Sequence, residues 1–323
     1  MLAFLLRRLL QGVVIVFTVA TVTFALVHAA PGEPFAATLD DPRFTPEMQA
    51  TLRRQYGLDQ PLLAQYARYL GQVARADLGL SLGQLRPVRS ILGEAIPRTL
   101  LLMAASLLAG FTLGIVTGVA QAARRGSRLD RFASRISVAL AAVPDFWLAL
   151  ALLLVFGLRL RWFPISGMVD PTMHDYLSAA GQLRDVLWHL VLPAATSALL
   201  IAAVVARHQR EALLEALPDD YVRSARAKGV PERLVIGRHA LRNALRPTVT
   251  LFGLALPALA GGAVFIEVIF AWPGMGRLAV EALAARDYPL VLGTTLTGSV
   301  LVVVGSLLAD ILSVAIDPRT RDG

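Results

Sequence analysis

Six long apolar runs, bounded by clusters of charge, set the pattern of this 323-residue chain. They cover Leu9–Ala30, Thr99–Ala122, Ile136–Phe156, Leu187–Ala206, Thr248–Phe270 and Leu290–Ile316. A helix needs about 20 mostly apolar residues to cross the ~30 Å hydrocarbon layer of a bilayer, so each run is long enough to span. The first two hold no charge, and the others hold at most one acid each: Asp145, Glu267 and Asp310. The pattern predicts an all-α, polytopic membrane protein with six transmembrane helices.

Between the runs the pattern changes. Residues 31–98 form the longest polar excursion, with a turn at Pro31-Gly-Glu-Pro34 and a helix start at Thr45-Pro46-Glu47. Leu62-Leu63, Tyr66 and Tyr69-Leu70 have the spacing of an amphipathic helix, and Gly71 to Gly83 is loop-like. The second long interruption is residues 207–246, with nine Lys/Arg against five Asp/Glu. Pro218 ends one helix there, Asp219-Asp220 provide an acidic N-cap, and Lys228-Gly229 close a helix of about two turns. Pro231 opens a further helix with Leu234, Val235, Leu241 and Leu245 as its apolar face. A short helix capped at both ends and held between longer ones makes a rigid tip. A solvated basic loop is the plainer alternative.

Composition supports the membrane reading: 56% of residues are hydrophobic and 17% charged, against about 25% charged in soluble domains. The net charge of +8 does not require nucleic acid, because the basic residues follow topology. Segments 1–8, 122–135, 207–246 and 317–323 hold 18 of the 31, and the longer alternate segments hold 13. Arg124, Arg125, Arg128 and Arg131 crowd one short turn. The positive-inside rule then places both termini in the cytoplasm. The first run, after Arg7-Arg8 and ending Val27-His28-Ala29-Ala30, has some features of a secretory signal. At about 22 residues it exceeds the 7–15 of a signal core, and a retained anchor is expected.

Candidate chemistry is sparse. There is no cysteine, so thiolate metal sites are excluded, and the five histidines lack helical i,i+4 pairing. No metal site and no catalytic constellation stands out. Lys228, the only lysine, sits between Ala227 and Gly229 rather than in a Gly-Lys-[Ser/Thr] phosphate loop. If ATP drives this protein, another chain must hydrolyse it. Intramembrane acids are functional candidates by default, so Asp145 and Glu267 join Gly261-Gly262, which with Pro257 makes the fifth run kinkable, as candidate path or gate residues. Each also has a structural alternative: a helix cap for Asp145, bonding within the bundle for Glu267, packing for the glycine pair.

Asp220-Tyr-Val-Arg-Ser-Ala-Arg-Ala-Lys-Gly229, followed by Arg238-His-Ala-Leu-Arg-Asn-Ala-Leu-Arg-Pro247, resembles the cytoplasmic coupling loop of ABC-importer permeases of the dipeptide/oligopeptide/nickel family. Further resemblance lies in Phe4-Leu-Leu-Arg-Arg-Leu9, Tyr56-Gly-Leu-Asp-Gln-Pro61, Pro144-Asp-Phe-Trp-Leu148, Phe270-Ala-Trp-Pro-Gly-Met-Gly-Arg277, Arg286-Asp-Tyr-Pro289 and Leu307-Leu-Ala-Asp-Ile-Leu312. Against the general pattern of Glu-Ala-Ala, three residues and Gly, only Ala225 and Gly229 agree, and the expected Leu-Pro is displaced to Arg246-Pro247. The resemblance implies a type I importer permease fold. Residues 1–97 would hold the first span (9–30) and an external segment, 98–316 the permease core, and 317–323 a cytoplasmic tail. It implies ATPase coupling through Asp220, Tyr221, Arg223, Ala225, Arg226, Lys228 and Gly229. Implied partners are a homologous second permease, two ATP-binding subunits that bind ATP and Mg, an external solute-binding protein, and membrane lipid. This chain would itself hold no cofactor and bind no nucleic acid. The implied setting is a bacterial or archaeal cytoplasmic membrane, and the implied cargo is di- or oligopeptides, with nickel or another small solute as the alternative. An ion-coupled secondary transporter or an intramembrane enzyme are rivals from other classes; no inverted repeat supports the first and no catalytic motif the second.

Overall fold

The computed structural model describes residues 2–29, 45, 47, 51, 54, 59–81, 83–258 and 264–316, with side chains omitted at 2–5 and 312–316. Its helices are α1 (Leu2–Ala29), α2 (Leu62–Ala74), α3 (Val88–Ala123), α4 (Arg128–Ala142), α5 (Asp145–Leu152), α6 (Ala179–Ala216), α7 (Asp220–Ala227), α8 (Glu232–Leu234), α9 (Leu241–Ala255), α10 (Val264–Ile269), α11 (Met275–Ala284) and α12 (Tyr288–Ile316). α5 runs on into π-helical turns, Leu153–Arg159, and a second π-helical stretch, Val235–Ala240, links α8 to α9. Of the stretch Gly71 to Gly83 expected as loop, the first four residues continue α2 to Ala74, and Leu80–Ser81 forms β1, paired antiparallel with β2 (Arg86–Pro87).

Among the described residues four helices are long and apolar enough to cross a membrane, and a fifth span is available if α4 and α5 count as one. Those two are bent by 110°. The third apolar run is therefore not the straight helix its hydropathy suggests. Val143, ahead of Pro144, lies in the extended region at φ −83°, ψ 128°, because a proline ring disfavours the helical conformation of the residue before it. The fifth run is also divided: α9 ends at Ala255, α10 begins at Val264, and residues 259–263 lie outside the described part.

The chain forms two compact units. The first comprises residues 1–99 and 273–303. Its core is the first turns of α3 (Val88, Ile91, Leu92, Ala95) against α11 and α12 (Met275, Leu278, Ala282, Leu290). Thr99 Oγ1 accepts the Met275 N–H at 2.7 Å, satisfying one of the orphan donors that start α11. The ladder is pinned by Asp287, a buried carboxylate that accepts the Ser81 hydroxyl at 2.5 Å and the Gly83 N–H at 2.9 Å. Tyr66, Tyr69 and Leu70 of α2 are half-buried while Leu62 and Leu63 are exposed, so the amphipathic face is narrower than the spacing suggests. Phe24 of α1 stacks on Tyr69 with centroids 5.5 Å apart. Burial of the phenol raises the Tyr69 pKa to about 12.

The second unit comprises residues 100–272 and 304–323. Its axis is α3 against α6. Gly110, Gly114 and Gly118 recur at one-turn spacing, and α6 presses on that stripe: a methyl group on Gly118 would stand 2.5 Å from the Ala206 carbonyl oxygen. Small residues let helix backbones approach to this distance. α6 is 38 residues long and does not stop at Ala206, where its apolar run ends. It continues through ten residues of the polar interruption, because the switch to charged residues alters what the helix faces and not its propensity to continue.

Candidate coupling site

The polar interruption opens as the last turns of α6 and closes as α9, with α7 seated between. Residue 217 and Pro218 make the turn, where the Asp219 N–H bonds to the Ala216 carbonyl at 3.2 Å. Asp219 occupies the N-cap of α7 but its side chain makes no capping bond. The acidic contribution comes from Asp220 in the first turn, placed favourably for the helix dipole and paired with Arg223. At the other end Gly229 has φ +74°. Its N–H reaches the Arg226 carbonyl at 2.9 Å, and the Val230 N–H reaches that of Ala225 at 3.3 Å. These two bonds form a Schellman closure, which needs the left-handed residue that glycine supplies.

Beneath α7 lies a dry platform. Val222 and Ala225 point into a cluster with Ala122 of α3, Leu213 and Ala216 of α6, Val235 and Ala240 of the π-helical stretch, and Ala244 of α9. Ala225 is thus an anchor and not part of the outward surface. The buried face of the following helix is also shifted. Val235, Ala240, Ala244 and Thr248 are buried, whereas Leu234 is 52% exposed. A π-helical turn takes in an extra residue and rotates everything after it, so the pattern expected from Leu234, Leu241 and Leu245 slips.

Two polar ties fix the platform to its supports. Gln209 is fully buried; its Nε2 donates to the Ala244 carbonyl at 3.3 Å and its Oε1 accepts the Thr248 hydroxyl at 2.7 Å. Arg210 donates from Nε and Nη2 to the two carboxylate oxygens of Asp130 at 2.8 and 3.0 Å. Asp130 also accepts the Gly126 N–H at 2.9 Å, and Ser127 caps α4 through the Asp130 N–H. Bidentate charge-assisted pairs of this kind are among the strongest hydrogen bonds available. Sequence reasoning passed over all four residues, although Ser127-x-x-Asp130 is a legible helix start.

Outward, α7 presents Tyr221, Arg223 and Lys228. Arg226 is less available than expected. Its guanidinium bonds the Glu232 carboxylate at 2.8 and 3.2 Å, clasping the loop across Gly229. The Arg226 hydrogen bonds hold the Glu232 carboxyl below the usual range. This clasp is complete above an ordinary glutamate pKa and is lost as the pH falls through the lowered value.

Two of the candidate path residues, Asp145 and Glu267, lie on helices that pack together, α5 and α10, whose Phe146 and Phe265 rings are 6.1 Å apart. Asp145 is the first residue of α5, directly after the bend, and its carboxylate accepts the Phe146 N–H at 2.8 Å, which is the cap-like alternative. Glu267 is fully buried in α10, next in sequence to Ile266, which packs in a cluster with Phe270 and Trp272. Gly261 and Gly262 lie outside the described residues. Among the described residues no group of three or more His, Asp or Glu is arranged to hold a metal.

Long apolar helices, two of them running well past a bilayer's thickness, and a short helix seated on a buried platform define a polytopic helical membrane protein built around a structured polar loop. The chain belongs to the binding-protein-dependent transport system inner membrane component family, whose model matches residues 87–322, with the family's N-terminal component matching residues 1–103. It is therefore a permease component of a binding-protein-dependent ABC transport system. Similar proteins cover 99% of both chains. The oligopeptide transport system permease protein AppB of Bacillus subtilis is 38% identical. The di/tripeptide transport system permease protein DppB of Pseudomonas aeruginosa is also 38% identical. The glutathione transport system permease protein GsiC of Escherichia coli is 35% identical.

Proposed function

We propose that this chain is the permease subunit of an ATP-driven importer of di- and oligopeptides, working by alternating access in a bacterial or archaeal cytoplasmic membrane. The observation that carries the coupling role is α7: a helix closed at its C-terminal end by Gly229 and anchored by Val222 and Ala225, with Tyr221, Arg223 and Lys228 facing outward. Such an element can transmit force because its buried face and its glycine closure hold its shape. The near full-length likeness to permeases named for oligopeptides and di/tripeptides supports the peptide cargo.

In this reading Asp220, Tyr221, Arg223 and Lys228 meet a groove of the ATPase, while Ala225, Arg226 and Gly229 hold the shape. Both termini are cytoplasmic. The chain pairs with a homologous permease, two ATP-binding subunits that carry ATP and Mg, and an external solute-binding protein. It performs no catalysis itself, since its sole lysine is not in a phosphate loop. Asp145, Glu267 and the Gly261-Gly262 pair remain the candidate path or gate residues. The test is co-purification with the ATPase subunits and peptide uptake by Tyr221→Ala and Lys228→Glu variants. Normal protein levels with lost uptake and lost ATPase stimulation are expected; unimpaired uptake by both variants would overturn the docking role.

A further inference from the structure

α4 is amphipathic in the reverse of the usual sense: its polar residues face the protein and its apolar residues face away. On the side where Asp130 meets Arg210 of α6, Asp130 and Ser137 are buried, and the Ser134 hydroxyl lies 3.4 Å from the Asp130 carboxylate. Leu129, Phe132, Ile136 and Val138 are exposed instead, Phe132 to 67%. Arg128, Arg131 and Arg135 are exposed with them, and exposed Arg124 and Arg125 precede them in the turn. Among the described residues none of these five guanidinium groups holds a hydrogen bond or an ion pair. Asp130 is the only acid from residue 124 to residue 142, and both its oxygens are committed to Arg210. Arg128 and Arg131 also stand in the first turn of α4, where the helix dipole disfavours a cation and favours an anion.

We propose that the outward face of α4 is a docking surface for anionic phospholipid. Leu129, Phe132, Ile136 and Val138 enter the boundary between headgroups and acyl chains, and the arginines hold the headgroup phosphates. Apolar side chains set beside arginines on one short helix are the pattern of a helix lying in a membrane interface, and a basic cluster next to a span attracts anionic lipid. Two observations favour lipid over a protein partner. The face runs on into a surface of membrane type: past the 110° bend, Phe146, Trp147, Leu150 and Leu154 are exposed at helical spacing. An isologous contact with a second copy of this chain would instead set arginines against arginines. The unbonded guanidiniums need an anion, and neighbouring apolar side chains need a medium without water; an anionic lipid supplies both.

The test uses the complete transporter, its other subunits freed of cysteine, in nanodiscs of phosphatidylcholine and phosphatidylglycerol. A spin label on Phe132→Cys is expected to be reached by oxygen and shielded from a water-soluble nickel chelate. Access by the chelate would show a solvated face, and exclusion of both reagents a face covered by protein; either result overturns the proposal. The headgroup is read at the same place, with a fluorophore on Phe132→Cys and nitroxide-labelled lipids as quenchers. Labelled phosphatidylglycerol is expected to quench at a lower share of the bilayer than labelled phosphatidylcholine. That preference should fall about fivefold with each of Arg128→Gln, Arg131→Gln and Arg135→Gln, and lysine at the same positions should retain it. Equal quenching by the two lipids, or a preference indifferent to the glutamine variants, would overturn the assignment to anionic lipid.

Discussion

Asp130 and Arg210, 80 positions apart, meet through two hydrogen bonds of 2.8 and 3.0 Å, and the Asp130 side chain is only 5% exposed. The pair ties the first turn of α4 to the final turns of α6, the stretch that also carries Leu213 of the platform under α7. Removing one partner leaves the other charge poorly compensated. Asp130→Ala is expected to cost about 2–4 kcal/mol, read as a lower melting temperature of the solubilised protein. The double variant Asp130→Ala/Arg210→Met is expected to lose much less than the sum of the singles. Additive losses would show that the two side chains do not act as a unit.

At Gly229 no atom lies within 4 Å of where a Cβ would stand, so substitution there acts through the backbone alone. The left-handed conformation costs an ordinary residue about 1–2 kcal/mol. Uptake should therefore fall in the order Gly, Asn, Ala, Val, with faster hydrogen exchange in α7 as the accompanying signal. Equal uptake by Gly229→Asn and Gly229→Val would contradict this.

Gly118 differs, because the obstacle is the Ala206 backbone, which cannot rotate away. Gly118→Ala should cost about 1–3 kcal/mol through overpacking and Gly118→Leu should abolish accumulation of folded protein. Gly298→Ala is the control, since no atom lies within 4 Å there. Comparable melting temperatures for Gly118→Ala and Gly298→Ala would refute the close approach of α3 and α6.

Orientation is tested with single cysteines in this cysteine-free chain. Gln84→Cys should react with an impermeant thiol reagent in intact cells and Arg125→Cys should not. Arg125 is exposed, whereas neighbouring Ser127 caps α4 and is best left alone. The opposite labelling pattern would invert the topology.

What the sequence made legible was local. The bounds of α7 follow from Pro218, the acidic start and Gly229, all within a dozen residues, and the left-handed glycine stands where the capping rule puts it. The apolar runs are equally plain, because hydropathy is a property of one segment at a time. What escaped depends on partners far along the chain or on backbone irregularity. Asp287 serves as an anchor only because Ser81, 206 positions earlier, lies against it. The glycines of α3 could be seen as a four-residue repeat, but their meaning lies in α6. The 110° bend and the shifted face after Leu234 come from single residues at Val143 and within the π-helical stretch, which average out of any periodicity.

The length of α6 has a mechanical corollary. At 1.5 Å per residue its 38 residues extend about 57 Å, roughly twice the hydrocarbon thickness of a bilayer. Pro193 is its one internal proline, and it is buried, so its neighbours brace the place where the rod would otherwise flex. A beam of that length, pivoting at one end, sweeps its other end through about 1 Å for every degree of tilt. A tilt of a few degrees would therefore carry the end of the beam that supports α7 through about the width of an atom.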